Sequence, residues 1–585
     1  MLNLNSKNVQ SHLTHSALIS FYYNTPNNTL PIFWASTHGW NPLLPRTEAK
    51  KSSNLSKNEN LFLLIFQILV GGKCFENELT ELLQKTKIPI ILTIKQLETK
   101  RYIRIKADEF NRRVELTVKG NREVQNIFEN YPQLIQDGLN IIRITIQSIL
   151  KINPKHSLEY FNRIKKIKNS LINLMKSACN IGDIKSIIDL GRTVSWLLLK
   201  ELDIDIRIEL GRLILSSFDR KSLETQYGYI NIDDLGWSYI INNENDKALD
   251  CLNIGIDYFW QQKHSFGLCQ GWRHLQGLKG RLGNFTSAVF GMRIVYGSAC
   301  SILHEMERLE MQSGILRGIA SITKKINQMD ISEKYLEKSI ILAKEIGDEY
   351  HATTETKFIQ EAESVLRKKL FEDFTLYLVR HPSAPKNAAA TFGRHMLTHL
   401  TKEGESQVNT IIKKLSDNIN IASTKNILFY SATSKVTHIL SNKISKHLNA
   451  EVIYEKLLDP IHSGDLTGYS EDQATRYFPD IIDKLFSYRQ NKLDGYELSF
   501  PNGESVRELT LRLTKFLLEK VYFNGCPQNC IVVGHNSSIT AILNILTAID
   551  RWPVDSSYKY FEVPVGSIMK INFDNNTHAV KINFL

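Results

Sequence analysis

A neutral imidazole is a nucleophile near neutral pH, and a guanidinium offers a planar fork that matches two phosphate oxygens. In this chain the two groups stand side by side as Arg380-His381, directly after the apolar pair Leu378-Val379. Asn387 lies six residues beyond His381. Further along come Leu400-Thr401-x-x-Gly404-x-x-Gln407, Ser431-x-x-x-Lys435, Pro501-Asn502-Gly503-Glu504-Ser505 and Val532-Val533-Gly534-His535-Asn536. The chemistry these residue types suit is phosphoryl transfer. His381 can attack phosphorus and become phosphohistidine. The phosphate oxygens stay negative throughout, so fixed donors must surround them. Arg380 and a protonated His535 supply two, and the amides of Asn387 and Asn536 can add two more. Nothing in this design calls for a metal or another cofactor.

Taken together and in this order, the segments resemble the histidine phosphatase superfamily, also called phosphoglycerate-mutase-like. The resemblance covers residues 374–585. It implies a phosphomonoester hydrolase working through phosphohistidine, with Arg380, His381 and His535 catalytic and with a phosphorylated small molecule or phosphoprotein as partner. Three departures stand out. Pro382 replaces the glycine usual after the catalytic histidine, removing one backbone N–H. Lys435 stands where the family carries a second phosphate-binding arginine, keeping the charge but losing the fork. The family's acid lies in a segment like "L.E..yG..eG", which here reads Leu458-Asp459-Pro460-Ile461-His462-Ser463-Gly464-Asp465-Leu466-Thr467-Gly468. The glycines align and Pro460 falls on the glutamate. Asp459 is the nearest substitute acid, followed by Asp465 and Glu504. The alternative to an enzyme is a catalytically weak sensor of a phosphorylated ligand.

These residues need strands to hold them. β-type runs at Leu376–Val379, Ile427–Tyr430, Ile531–Val533 and Met569–Phe573 alternate with helical stretches, which gives an α/β domain with a mostly parallel sheet over residues 371–585. Open α/β sheets place ligands at the carboxyl ends of their strands, where Arg380, His381, Lys435 and His535 fall.

Upstream, residues 133–370 carry long helical periodicity and few prolines. Leu235-Gly236, Tyr239, Ala248 and Leu252 fit the small–large spacing of a tetratricopeptide repeat. Leu275, Gly283, Phe285, Ala288 and Met292 repeat it, and Ile319, Ala320, Leu336 and Ser339–Asp348 resemble a third copy. The aromatic stripe Trp237, Tyr239, Tyr258, Phe259, Trp260 and Trp272 reads as core. A helical array of this kind offers a surface for a protein partner.

Residues 57–132 read as helices at Leu61–Val70, Glu76–Gln84 and Ile90–Lys100, with Ile91, Ile94 and Leu97 on one face of the third. A hairpin follows, Tyr102–Lys106 and Arg113–Val118 joined by the Asp108–Asn111 turn. With Asn111-Arg112-Arg113 and Leu116-Thr117-Val118-Lys119-Gly120, this resembles the winged helix of MarR-type regulators. Such domains bind DNA through basic wings, and here Lys95, Arg104, Arg112 and Arg113 are the candidates. They also serve as docking spacers beside tetratricopeptide arrays in bacterial signalling and defence proteins. The interspersed acidic residues favour docking, with DNA binding as the alternative. Residues 1–56, with short β-type runs at Phe21–Tyr23 and Pro31–Ala35 and a polar stretch at Arg46–Lys57, have no functional reading.

Composition sets the outer limits. The chain has 585 residues, of which 42% are hydrophobic and 23% charged, so it is neither disordered nor collagen-like. Lys+Arg 72 against Asp+Glu 61 gives a mild excess of +11, which permits an anionic partner without requiring one. The seven cysteines show no metal-ligand spacing and read as reduced thiols of a cytoplasmic protein. The start of the chain carries no basic–apolar leader pattern. The longest apolar run, Leu61–Val70, is about half of the ~20 residues a bilayer demands, so no membrane partner is expected.

Overall fold

A computed structural model describes residues 55–70, 72–75, 88–107, 112–150, 157–352, 374–385, 391–393, 399–419, 427–521, 529–551, 556–573 and 578–585. The chain divides into two compact units, Met1–Glu244 and Asn245–Leu585. Among the described residues no helix is long and apolar enough to cross a membrane.

In the first unit, α1 (Lys57–Val70) is the hub. Leu61 through Phe66 are apolar and buried all round the helix, as an enclosed helix requires. It packs against α2 (Ile90–Thr99), α3 (Val118–Asn130), α4 (Pro132–Leu150) and a later helix, Lys168–Ile181. The strands β1 (Lys73–Phe75), β2 (Ile103–Ala107) and β3 (Arg112–Leu116) form an antiparallel sheet in the order β1-β3-β2. The expected hairpin is therefore present, joined by a third strand that the sequence reading lacked. Val118, expected at its end, instead begins α3. The Leu116–Gly120 motif is a helix start. The Thr117 hydroxyl accepts from the Gly120 N–H at 3.1 Å, and a Cβ on Gly120 would meet the Tyr102 carbonyl oxygen at 2.1 Å.

One expected face is corrected. The buried side of α2 is Ile90, Thr93, Ile94 and Leu97, whereas Ile91 is 60% exposed. A stripe through 90, 94 and 97 turns position 91 away from the core. The expected helix Glu76–Gln84, the Asp108–Asn111 turn and the segments read before residue 55 lie outside the described residues.

The rest of the described part of this unit is helical: α5 (Leu158–Lys166), α6 (Lys168–Ile181), α7 (Ile184–Lys200) and α8 (Ile204–Ser217), then short turns around a π-helix, Ile230–Trp237. Arg207 of α8 is buried, donates to Ser195 and Ser238, and sits 3.6 Å from the Asp234 carboxylate on the π-helix.

The second unit opens with α9 (Asn245–Gln261), α10 (Ser265–Arg281), α11 (Phe285–Ala299), α12 (Glu305–Lys325) and α13 (Met329–Glu345). The turns after α9, α10, α12 and α13 share one device. Lys263, Gly283, Asn327 and Gly347 adopt positive φ. The N–H of each following residue reaches back to the fifth carbonyl before it, as His264 does to Phe259 and Asp348 to Ala343. This Schellman closure satisfies orphan carbonyls and turns the chain back on itself. Gly283 suits the position, while Lys263 and Asn327 bear its strain. Of the expected aromatic stripe, Tyr258, Phe259 and Trp272 are buried here.

The α/β part follows. Its sheet has the order β6-β5-β7-β4-β8-β9, with β4 (Thr375–Arg380), β5 (Ile427–Ser431), β6 (Ile453–Tyr454), β7 (Asn529–Gly534), β8 (Ile568–Phe573) and β9 (Val580–Phe584). Strands β6, β5, β7 and β4 are parallel, and β8 and β9 add an antiparallel edge. Tyr377, Val379, Phe429, Ile531 and Val533 face a core shared with α14 (Lys402–Asn418) and α15 (Lys435–Leu448). The alternate residues Leu376, Leu378, Cys530 and Val532 are equally buried, which is why both central strands are unbroken apolar runs. The remaining helices are α16 (Glu471–Tyr477), α17 (Pro479–Arg489), α18 (Val506–Phe516) and α19 (Asn536–Thr547).

Helix α11 joins the two halves of this unit. Nearly all its residues are buried, and it packs on α10 and α12 on one side and on α18 and α19 on the other. A Cβ on Gly297 would meet the Ile545 carbonyl oxygen at 2.1 Å, so only glycine allows α11 and α19 to approach this closely. Arg293 of α11 is 1% exposed and holds the Asp550 carboxylate with two donors, at 2.7 and 2.9 Å. It also donates to the carbonyls of Leu546 and His578.

Candidate functional site

Strand register brings the candidate residues together. Arg380 pairs with Gly534 across the parallel β4–β7 ladder, so His381 and His535 leave the sheet at the same level. The His381 N–H donates to the Gly534 carbonyl at 3.1 Å, and the two imidazoles lie 5.0 Å apart between centroids. Both are buried, at 3% and 5% exposure.

The His381 ring is oriented by its neighbour. His381 Nδ1 lies 2.9 Å from the carbonyl oxygen of Pro382. A carbonyl can only accept, so Nδ1 carries the proton and Nε2 of the neutral ring keeps its lone pair. Pro382 thus removes a backbone donor yet fixes the tautomer through its carbonyl.

The following loop is held by the Leu400–Gln407 motif. The Gln407 side-chain oxygen accepts from Ser383 N–H at 2.8 Å, and Thr401 N–H donates to the Ser383 carbonyl at 3.1 Å. Thr401 also caps α14 by accepting from Gly404 N–H. A Cβ on Gly404 would lie 2.3 Å from the Ser383 oxygen. The motif holds the loop that follows His381.

Arg380 is turned toward a second loop. Its Nη1 donates to the Val563 carbonyl, while Nε is buried with no hydrogen-bond partner among the described residues. Burial pulls its pKa down, opposed by Tyr560 and the Glu562 carboxylate. Arginine nonetheless stays charged, and a buried unsatisfied donor of this kind calls for an oxyanion. Asn536 secures the same loop, its side-chain oxygen accepting from Val563 N–H at 3.3 Å.

Ser434, which the sequence reading passed over, belongs to this cluster. Its hydroxyl lies 3.0 Å from His535 Nε2 and also caps α15. Lys435 is the first residue of α15, beside Ser434, and is exposed. Asn387 lies outside the described residues.

The carboxylates expected to serve as acid are engaged elsewhere. Asp459 is buried, and its Oδ1 accepts from the Thr433 N–H at 2.8 Å and from the Thr433 hydroxyl at 2.7 Å. Glu504 makes a two-pronged ion pair with Arg512, both contacts at 2.8 Å. Arg512 also donates to the carbonyls of Leu457 and Asp459, which pins the acid segment. Asp465 accepts from the Asn502 amide on the exposed Pro501–Gly503 turn. Gly464 and Gly503 let this turn and the acid segment touch, since a Cβ on either would collide with the other's backbone.

In the first unit, the buried Glu115 gathers Arg104 at 2.9 Å, Lys106 at 3.3 Å and Arg113 at 3.8 Å. Lys95 and Arg112 are exposed.

One family match falls within the second unit. Residues 376–583 match the family model of the histidine phosphatase superfamily (branch 1). Phosphoglycerate mutase 2 of Saccharomyces cerevisiae is 31% identical over 116 residues, which cover 19% of this chain and 33% of that protein. The 2,3-bisphosphoglycerate-dependent phosphoglycerate mutase of Rhizobium etli is 26% identical over 192 residues, 31% of this chain and 86% of that protein. Among solved structures, the alpha-ribazole phosphatase of Shigella flexneri superposes with a TM-score of 0.29 at 16% identity, covering 36% of this chain and 95% of that one. A separate match, to the family model PRTase-CE, spans residues 12–46, outside the described residues. The Arg380-His381 and Gly534-His535 strand ends and the matched span agree: residues 376–583 are a branch 1 domain of the histidine phosphatase superfamily.

Proposed function

We propose that this domain is a phosphomonoester hydrolase acting through a phosphohistidine on His381. The observation that carries the reading is the His381 Nδ1 contact with the Pro382 carbonyl, which leaves Nε2 as a lone-pair nitrogen beside His535 and Arg380. Nε2 attacks phosphorus, and the bond to the leaving oxygen breaks with its electron pair. Water then attacks the phosphohistidine, and the imidazole departs with the N–P pair as inorganic phosphate forms. Arg380, His535 and Lys435 supply the donors that three phosphate oxygens need. Asn536 and Ser434 act as positioning residues. The test is turnover of an aryl phosphate by wild type and by His381→Ala. Loss of turnover in the variant supports the enzyme, and equal background from both favours a phospho-ligand sensor.

The reading extends to coupling with the helices of the same unit. α19 begins next to His535 and ends at Thr547, with Ile545 in its last turn and Asp550 just beyond it, where α11 packs. A partner bound to α9–α13 would reach the site through one rigid helix. The tetratricopeptide-like reading of these helices rests on their repeated turns and small-residue contacts.

For the first unit we propose a winged helix used for docking in a signalling or defence setting. The α2 face carrying Ile91 and Leu92 is apolar and exposed, and Glu115 neutralises part of the wing's charge. DNA binding is the alternative. Loss of a duplex DNA shift at low salt on Arg112→Ala with Arg113→Ala would favour it.

A further inference from the structure

When a phosphate ester transfers its phosphoryl group, the leaving oxygen takes the bonding pair. An alkoxide, whose conjugate acid titrates near that of water at ~15.7, needs a proton as it leaves. A phenolate at about 10, a phosphate at about 6 or a carboxylate at about 4 does not. Enzymes that cleave alkyl esters therefore place a proton donor at this oxygen.

Here the segment that would carry the donor is built for another purpose. Pro460 has no proton to give. Asp459, next to it, turns its carboxylate onto Thr433 and accepts both its N–H and its hydroxyl. That holds the end of β5 against the acid segment and seats Ser434 at His535. Glu504 is closed in a two-pronged pair with Arg512, and Asp465 faces Asn502. Each of these three carboxylates spends its oxygens as acceptors. Among the described residues, Glu562 is the one carboxylate acting on Arg380, and it is exposed on the loop whose Val563 carbonyl Arg380 grips.

We propose that this site takes substrates whose leaving group departs as a stable anion, namely acyl phosphates, phosphoanhydrides or aryl phosphates, and that it turns alkyl phosphates over poorly. The inference rests on the phosphohistidine reading above. The P–O bond breaks with its pair on the leaving oxygen, the anion leaves unprotonated, and water completes the cycle by displacing the imidazole.

The experiment measures kcat/KM of the full chain for 4-nitrophenyl phosphate, phenyl phosphate, acetyl phosphate and glycerol phosphate, each with His381→Ala as control. The expected result is a steep fall with leaving-group pKa. The aryl and acyl substrates should exceed the alkyl ester by about 10³-fold, in line with the ~10²–10⁴-fold a general acid supplies. Pro460→Glu should raise alkyl turnover at least tenfold and leave aryl turnover within a few-fold. Alkyl turnover within tenfold of aryl, dependent on His381, would overturn the proposal while the phosphohistidine reading stands. Selective loss of alkyl turnover in Glu562→Gln would overturn it as well, by revealing the acid. Absence of any His381-dependent turnover would remove the underlying reading and this proposal with it.

Discussion

Asp459 and Thr433 are clasped together: one carboxylate receives both the N–H and the hydroxyl of one residue, at 2.8 and 2.7 Å. The clasp ties the acid segment to the loop that carries Ser434 and Lys435. Asp459→Asn should therefore behave as a positioning change. We expect aryl and acyl turnover to fall together by about tenfold, with a stability loss of ~1.5–3 kcal/mol, the usual worth of hydrogen bonds to a charged group. Denaturant midpoints and kcat/KM on two substrate types check this. Loss confined to an alkyl phosphate would return Asp459 to the role of acid.

Lys435 tests the second phosphate donor. Lys435→Ala should raise KM and lower kcat, because its charge acts on ground and transition states alike. Lys435→Arg should keep or improve activity, since the guanidinium fork matches two oxygens. An alanine variant with wild-type kinetics would show that the exposed ammonium stays with solvent.

Arg293 tests the link between α11 and α19. It is almost fully buried and serves Asp550, Leu546 and His578 at once. Arg293→Ala should destabilise the second unit by ~3–5 kcal/mol, the cost of breaking a buried pair. Aryl phosphate turnover should fall with it, because α19 carries His535 at its start. Full activity in a folded but destabilised variant would uncouple the helices from the site.

The first unit has its own pH signature. Burial raises the Asp234 carboxyl to about 6, opposed by Arg207 and Ser195. The folded unit then holds this proton more tightly than the unfolded chain, whose aspartates titrate near ~3.9. Stability from this group is therefore greatest below about pH 4 and falls as pH rises to about 6, by on the order of 3 kcal/mol. Hydrogen exchange of amides in α7 and α8 across this range should show the fall, and Asp234→Asn should flatten it.

Much of the site could be read from sequence because β4 and β7 are buried on both faces. Such strands are unbroken apolar runs, and Arg380-His381 and Gly534-His535 stand out at their ends. The Leu400–Gln407 motif was visible, but its task of gripping Ser383 was not, since that contact depends on how the loop returns over α14. Ser434 was hidden for a similar reason. A serine before a helix reads as a cap, and its partner His535 is 101 positions away. Asp459 looked like a displaced acid because sequence gives its place in the chain but not the Thr433 it faces. In the helical region periodicity gave the helices, whereas the Schellman turns at Lys263 and Asn327 carry no glycine to announce them. Ile91 shares a helical face with Ile94 and Leu97 by spacing, yet it is exposed, because a 3.6 repeat allows either flank until the packing partner is known.

The phosphohistidine mechanism requires His381 Nε2 to carry the phosphoryl group during turnover. The most direct measurement is to quench the full chain during turnover of 4-nitrophenyl phosphate at high pH, where phosphohistidine survives, and to map phosphorylation by peptide mass. One acid-labile, base-stable phosphoryl group is expected on the peptide containing His381, absent from His381→Ala. Turnover with no phosphopeptide, or with phosphate on any other residue, would contradict it.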